Sequence, residues 1–150
     1  MTVLLWWRRD LRIHDNPALL AALEHELVIP VFCLDERLLH GRHSSPARTR
    51  FLLESLGDLA GSLRGLGSDL VIRSGDPARV LLELARQTRA VEVHASADVS
   101  PFARQRDQYV ARALRAAGME LRLHPGVCVI DDVTSLLTGQ GRPYTVFTPF

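Results

Sequence analysis

Arg8-Arg9-Asp10-Leu11-Arg12 packs three guanidiniums and one carboxylate into five residues, immediately after the apolar run Thr2–Trp7. Such a cluster either offers its carboxylate as a catalytic acid or locks itself together as ion pairs. Other segments supply different chemistry. Phe32-Cys33 ends an apolar run, Arg48 with Phe51 and Leu52 opens a long amphipathic stretch, and Asp98-Val99-Ser100-Pro101-Phe102 follows another short run. Aromatic and aliphatic side chains suit the faces of a flat ring, while arginine, aspartate and serine suit its edges. The usual catalytic devices are absent. There is no GxxxxGK[ST], no glycine in the turn after the first run, no GxSxG and no HExxH, which argues against a nucleotide hydrolase, an NAD enzyme or a serine hydrolase.

Plainer readings compete at most of these positions. Trp6 and Trp7 alternate faces of a buried strand and read as core. Asp10 among its arginines reads as an ion-pair network that fixes the first loop or a domain interface. Phe32, Phe51 and Leu52 serve a core as well as a pocket. His40 and His43 fall in a polar loop and read as solvated, and His14 and His94 have no partner visible in sequence. Arg104, Arg106, Arg112 and Arg115 are too spread for one stripe and read as a solvated helix face. Cys33 and Cys128 are far apart, with no CxxC and no histidine at metal-ligand spacing, so no metal site and a reduced, cytoplasmic setting are expected.

These residues need a scaffold, and the apolar pattern supplies one. Strand-like runs at Thr2–Trp7, Leu27–Leu34, Asp69–Arg73, Ala90–Ala95 and Met119–Leu123 alternate with helical stretches. The helices start at Asn16-Pro17 and run through ALLAALEH, then cover about 47–64, from Asp76-Pro77 to about Gln87, and about 101–117. Pro30 inside the second run demands a bulge, a strand end or a local edge. Val127–Ile130 reads as a short extra strand piece. The alternation predicts an α/β fold: a doubly wound, open, parallel five-stranded sheet, Rossmann-like, with helices on both faces. Ligands of such sheets lie beyond the carboxyl ends of the strands, which selects 8–16, 35–48, 74–76 and 96–102.

Composition is that of an ordinary globular chain: 150 residues, 47% hydrophobic and 23% charged, with a formal charge of +1. That charge offers no global attraction to nucleic acid. No apolar run approaches the roughly 20 residues that span a bilayer. Every one of the 18 basic residues is arginine, and Asn16 is the sole asparagine; a GC-rich coding bias explains both.

The stretch Leu5-Trp6-Trp7-Arg8-Arg9-Asp10-Leu11-Arg12-Ile13-His14-Asp15-Asn16-Pro17-Ala18-Leu19 closely resembles the opening of the DNA photolyase/cryptochrome family. The resemblance continues through Pro30–Asp35, Arg50–Leu56, Gly75-Asp76-Pro77 and Arg104-Gln105-Arg106-Asp107, and closes with Gly141-Arg142-Pro143-Tyr144-Thr145-Val146-Phe147-Thr148-Pro149-Phe150. It implies the N-terminal, antenna-binding domain of a light-dependent enzyme that splits pyrimidine dimers. In this family FAD and damaged DNA are held by a C-terminal helical domain, so residues 1–150 alone are expected to be inactive. A cryptochrome photoreceptor is the alternative within the family; a stand-alone nucleotide- or chromophore-binding α/β module is the alternative outside it.

The resemblance also bears on the antenna. Folate-binding members resemble one another in an Asn-Glu pair before the RxRD segment, where this chain has Phe102 and Ala103. Asp98–Phe102, Phe32-Cys33 and Pro46-Ala47-Arg48 look instead like deazaflavin-binding members. By that match Phe32 and Cys33 pack on a tricyclic ring, Phe51 and Leu52 add wall, and Arg48 with Arg9 faces its anionic side. Asp98 accepts a ring hydrogen bond, and Ser100 replaces an acidic residue of the pattern. The expected chromophore is of the 8-hydroxy-5-deazaflavin type, with FMN second. Residues 1–131 are expected to form the domain and 132–150 to begin an interdomain linker in a chain that looks truncated, with Val146, Phe147 and Phe150 packing on the further domain.

Overall fold

The protein is described by a computed structural model covering residues 1–41, 44–128 and 135–144. Its elements are β1 (Thr2–Trp7), α1 (Pro17–Ala22), β2 (Leu27–Leu34), α2 (Glu36–Leu39), α3 (Pro46–Gly65), β3 (Val71–Ser74), α4 (Pro77–Thr88), β4 (Ala90–Ser96), α5 (Pro101–Ala116) and β5 (Glu120–His124). The five strands form one parallel sheet in the order β3-β2-β1-β4-β5, which is the predicted fold class.

A strand turns successive side chains to opposite faces, and β1 uses both. Val3, Leu5 and Trp7 pack with α1 and α3 in one apolar layer. Leu4 and Trp6 pack with α4 and α5 in the other. Burial on both faces is why β1 reads as an unbroken apolar run. Four helices start the same way, with a capping residue followed by proline at the first helical position: Asn16-Pro17, Ser45-Pro46, Asp76-Pro77 and Ser100-Pro101. The Asn16, Asp76 and Ser100 side chains accept from the amides of Leu19, Arg79 and Ala103, filling backbone donors that a helix start leaves open.

Pro30 sits at a local edge: it pairs with Leu5 on one side, while the β2–β3 ladder begins only at Val31. Helix α1 stops at Ala22 instead of running through His25, because Leu27 must already pair with Thr2. The polar loop after β2 holds the four-residue α2, too short to show periodicity, capped by Asp35. The third and fifth strands begin at Val71 and Glu120, later than their apolar runs, and both lie at sheet edges. Val127 and Cys128 form no strand; Val129 and Ile130 lie outside the described residues, as do His43, Val146, Phe147 and Phe150. Gly126, at φ +114°, lets the chain after β5 approach α1, since a Cβ there would meet the Pro17 ring at 2.8 Å. The Gly126 carbonyl accepts from Arg12 at 2.8 Å.

The first loop is fixed differently from the expected ion-pair network around Asp10. Buried Arg8 donates to the Asp107 carboxylate on α5 and to the Ser96 carbonyl at the end of β4. Asp10 forms no ion pair among the described residues; it accepts from the Ser96 hydroxyl and from the Asn16 amide. Arg106 is not on a solvated face either. Its side chain is 9% exposed, pairs with Asp107 at 3.1 Å and lies 5.0 Å from the Trp6 ring, about as close to it as Arg8 does. Asp107 is therefore the carboxylate that two guanidiniums share. Asp107→Ala should cost about 3–5 kcal/mol, because it leaves both without their carboxylate. Urea denaturation checks this, and a loss below about 1 kcal/mol would show that the pair does not hold the loop.

Candidate chromophore site

In the order β3-β2-β1-β4-β5 the chain builds outward from β1 in both directions, so the switch point lies between β1 and β4. An open sheet ordinarily binds ligands there. In this chain Arg8, Asp10 and Ser96 fill that crevice with their own contacts. The open space lies one strand over: a cavity of about 600 Å³ above the ends of β1 and β2, walled by α3.

Trp7, Phe32, Leu38, Phe51 and Leu52 give the cavity apolar surface, and Arg9, Arg48 and Arg106 give it cations. Of the predicted site residues, Arg9, Phe32, Cys33, Arg48, Phe51 and Leu52 line it together. Phe102 lines an adjoining cavity of about 510 Å³ that shares Leu38, Arg48 and Leu52. Asp98 and Ser100 line neither. Asp98 instead holds Arg9 at 3.3 Å and accepts from the Ser100 amide at 2.9 Å, while the Ser100 hydroxyl caps α5. Burial would raise the Asp98 pKa, but the Ser100 amide and Arg9 outweigh it and hold the carboxyl below its usual 3.8. A charged Asp98 thus sets the position of Arg9.

Trp7, Arg106 and Asp35 are among the lining residues that sequence reasoning passed over. Trp7 read as core, and it is buried, yet it also borders the cavity, and its indole N–H has no acceptor among the described residues. Arg106 read as solvated. Asp35 was not singled out; it caps α2 and pairs with Arg37 at 2.7 Å. The Ser100-Pro101 pair was the available signal for a cap, because it repeats the Asn16-Pro17 pattern.

The family model for DNA photolyase matches residues 3–150. The chain belongs to the DNA photolyase family. It is 37% identical over 150 residues to a deoxyribodipyrimidine photo-lyase of Synechococcus sp., a match covering 99% of the chain and 31% of that protein. It is 40% identical over 154 residues to an uncharacterised 31.6 kDa Synechococcus protein, covering 98% of the chain and 52% of that protein. The chain therefore spans about half of one relative and a third of the other. Among solved structures, a class III photolyase from Agrobacterium tumefaciens superposes with a TM-score of 0.86 at 35% identity, over 99% of this chain and 30% of that one. An archaeal photolyase from Sulfolobus tokodaii, described as holding two FAD molecules with the implication of a novel light-harvesting cofactor, gives 0.76 at 30% identity, over 83% and 29%.

In this photolyase-family chain Cys33 is a packing group rather than a nucleophile. Burial, and then the Asp35 charge, push its thiol up to about 12, so at neutral pH it is protonated and inert. Cys128 is half-buried. A disulfide exchange reagent at pH 8 should titrate Cys128 readily and Cys33 only after denaturant is added. Fast reaction at Cys33 in the Cys128→Ser variant would contradict this.

Proposed function

We propose that the chain is the antenna-chromophore domain of a light-dependent, pyrimidine-dimer-splitting photolyase, and that the cavity over β1 and β2 holds a flat tricyclic chromophore. The observation that carries the reading is the pairing of apolar walls from Trp7, Phe32 and Leu52 with guanidiniums of Arg9, Arg48 and Arg106 around one space. A cavity of that size lies within the ordinary range for small-molecule sites, roughly 300–1,000 Å³. The cationic edge favours a ring that carries negative charge. An 8-hydroxy-5-deazaflavin, acidic at its hydroxyl, fits this best. A flavin such as FMN is second, and the two FAD molecules of the Sulfolobus neighbour favour keeping it.

A bound antenna absorbs light and passes the excitation to the catalytic FAD. This chain's residues bind and orient it: Phe32, Cys33, Phe51 and Leu52 against the ring, Arg9 and Arg48 at its charged side, with Asp98 positioning Arg9. Phe102 closes the adjoining end, where its ring lies 5.8 Å from the Arg106 guanidinium. FAD and damaged DNA would be bound by a further helical domain, with residues 132–150 starting the linker toward it. Free cysteines suit a cytoplasmic setting, and no helix among the described residues is long and apolar enough to cross a membrane.

Fluorescence titration of the chain with 8-hydroxy-5-deazaflavin, FMN and folate tests the site. Arg48→Ala and Arg9→Ala should each weaken deazaflavin binding about tenfold or more, as expected for loss of a charge-assisted hydrogen bond of roughly 1.5–3 kcal/mol. Asp98→Ala should reproduce part of the Arg9 effect and add little to Arg9→Ala. Tight folate binding, or deazaflavin binding indifferent to both arginines, would sink the assignment. Under near-UV or blue light the 150-residue chain should repair no dimers, and repair by it alone would show that it is more than an antenna domain.

A further inference from the structure

We propose that His25, Glu92 and His94 form a divalent-metal site of the zinc class on the α1 side of β4. Glu92 and His94 lie two residues apart on β4 and therefore share a face, the one turned to α1. His25 comes from the turn between α1 and β2 and closes over them. One ligand atom from each residue lies within 4.8 Å of the other two. The Glu92 carboxylate is 3.4 Å from His94 Nε2 and 3.9 Å from His25 Nε2.

The decisive feature is His94. Its side chain is 3% exposed, and Nε2 makes no hydrogen bond; the Glu92 oxygen is close but outside hydrogen-bonding geometry. Its other nitrogen, Nδ1, lies 3.0 Å from His124 Nε2, and the two rings stack 5.1 Å apart. With Nδ1–H donating to His124, Nε2 presents a lone pair toward Glu92 and His25. A metal-bound histidine is oriented in the same way by a partner on its second nitrogen.

Glu92 is similarly fixed, accepting from Arg122 at 2.7 and 2.9 Å. A tetrahedral ion with bonds of about 2.0–2.1 Å holds its ligand atoms roughly 3.3–3.4 Å apart. The Glu92–His94 spacing already meets that; His25, on a turn, must close in from 3.9 Å on Glu92 and from as much as 4.8 Å on His94. Two imidazoles and a carboxylate leave a fourth position for water, and that donor set suits zinc better than magnesium or calcium. The His25 and Glu92 side chains are 18% and 17% exposed, so an ion has a way in.

The test is equilibrium dialysis of the 150-residue chain against zinc chloride, followed by elemental analysis, with cobalt substitution to report coordination. One equivalent of zinc per chain, a raised melting temperature, and the intense visible absorption of tetrahedral cobalt are expected. His25→Ala and Glu92→Gln should each weaken zinc binding tenfold or more, and His124→Phe tenfold to a hundredfold through loss of the orienting bond. His25 lies in a turn, so its variant should fold normally, as circular dichroism will check. His40→Ala and Cys128→Ser should bind zinc like the parent. Absence of stoichiometric zinc, zinc binding unchanged in His25→Ala, or zinc lost in His40→Ala or Cys128→Ser would overturn the proposal.

Discussion

The fold turns on one buried cation. Arg8 leaves the end of β1 with its side chain 5% exposed, in a position where an uncompensated charge would cost several kcal/mol. Compensation comes from three directions: the Asp107 carboxylate on α5, the carbonyl of Ser96 on β4, and the face of Trp6 beneath it. These contacts brace the β1/β4 boundary beyond the end of its ladder at Leu5 and His94, where the chain reverses its direction of growth. The other residues of the first loop follow from that clamp. Asp10 ties the Ser96 hydroxyl to the Asn16 cap, Arg12 holds the carbonyls of Asp15 and Gly126, and Arg9 is left to reach Asp98 at the surface.

Filling the switch point has a consequence for ligand binding. The crevice that an open sheet offers is occupied, so the usable space lies above β1 and β2, under α3. Its cations are then of two kinds. Arg106 is committed to Asp107 and contributes a charge already half neutralised, whereas Arg9 is held by Asp98 from outside the cavity. The Arg9 and Arg106 guanidiniums at its edge are each paired with a carboxylate that does not line the cavity. Preorganised cations of this kind favour an anionic edge without having to be ordered on binding.

The fold class was legible because each signal in the sequence has a local cause. The unbroken apolar run of β1 comes from burial on both faces, and the cap-proline pairs mark helix starts wherever they fall. What failed did so where a residue's role depends on distant partners. Arg106 and Arg104 look alike in sequence, yet the first is drawn inward by Asp107 and Trp6. Asp10 looks like an ion-pair partner among arginines, yet each arginine has a better acceptor elsewhere. Six of the candidate site residues converge on one cavity because they follow strand ends or face them from α3. Asp98 and Ser100 follow a strand end too, but the backbone and Arg9 claim their polar atoms first.

The polar face of β4 shows how far such local competition reaches. Val93 and Ala95 point into the α4/α5 layer, so alternation sends Glu92, His94 and Ser96 to the α1 side. A row of three polar groups beneath a helix would ordinarily be a defect, since buried polar groups need partners. Helix α1 is only six residues long, and the row is served from its flanks. Ser96 is met by Asp10 from the first loop, Glu92 by Arg122 on β5, and the inner nitrogen of His94 by His124 at the end of β5. One polar atom in that row, His94 Nε2, is left without a hydrogen bond, and it faces a carboxylate and a second imidazole. The retained histidine, oriented through its other nitrogen, is the arrangement that a cation would complete.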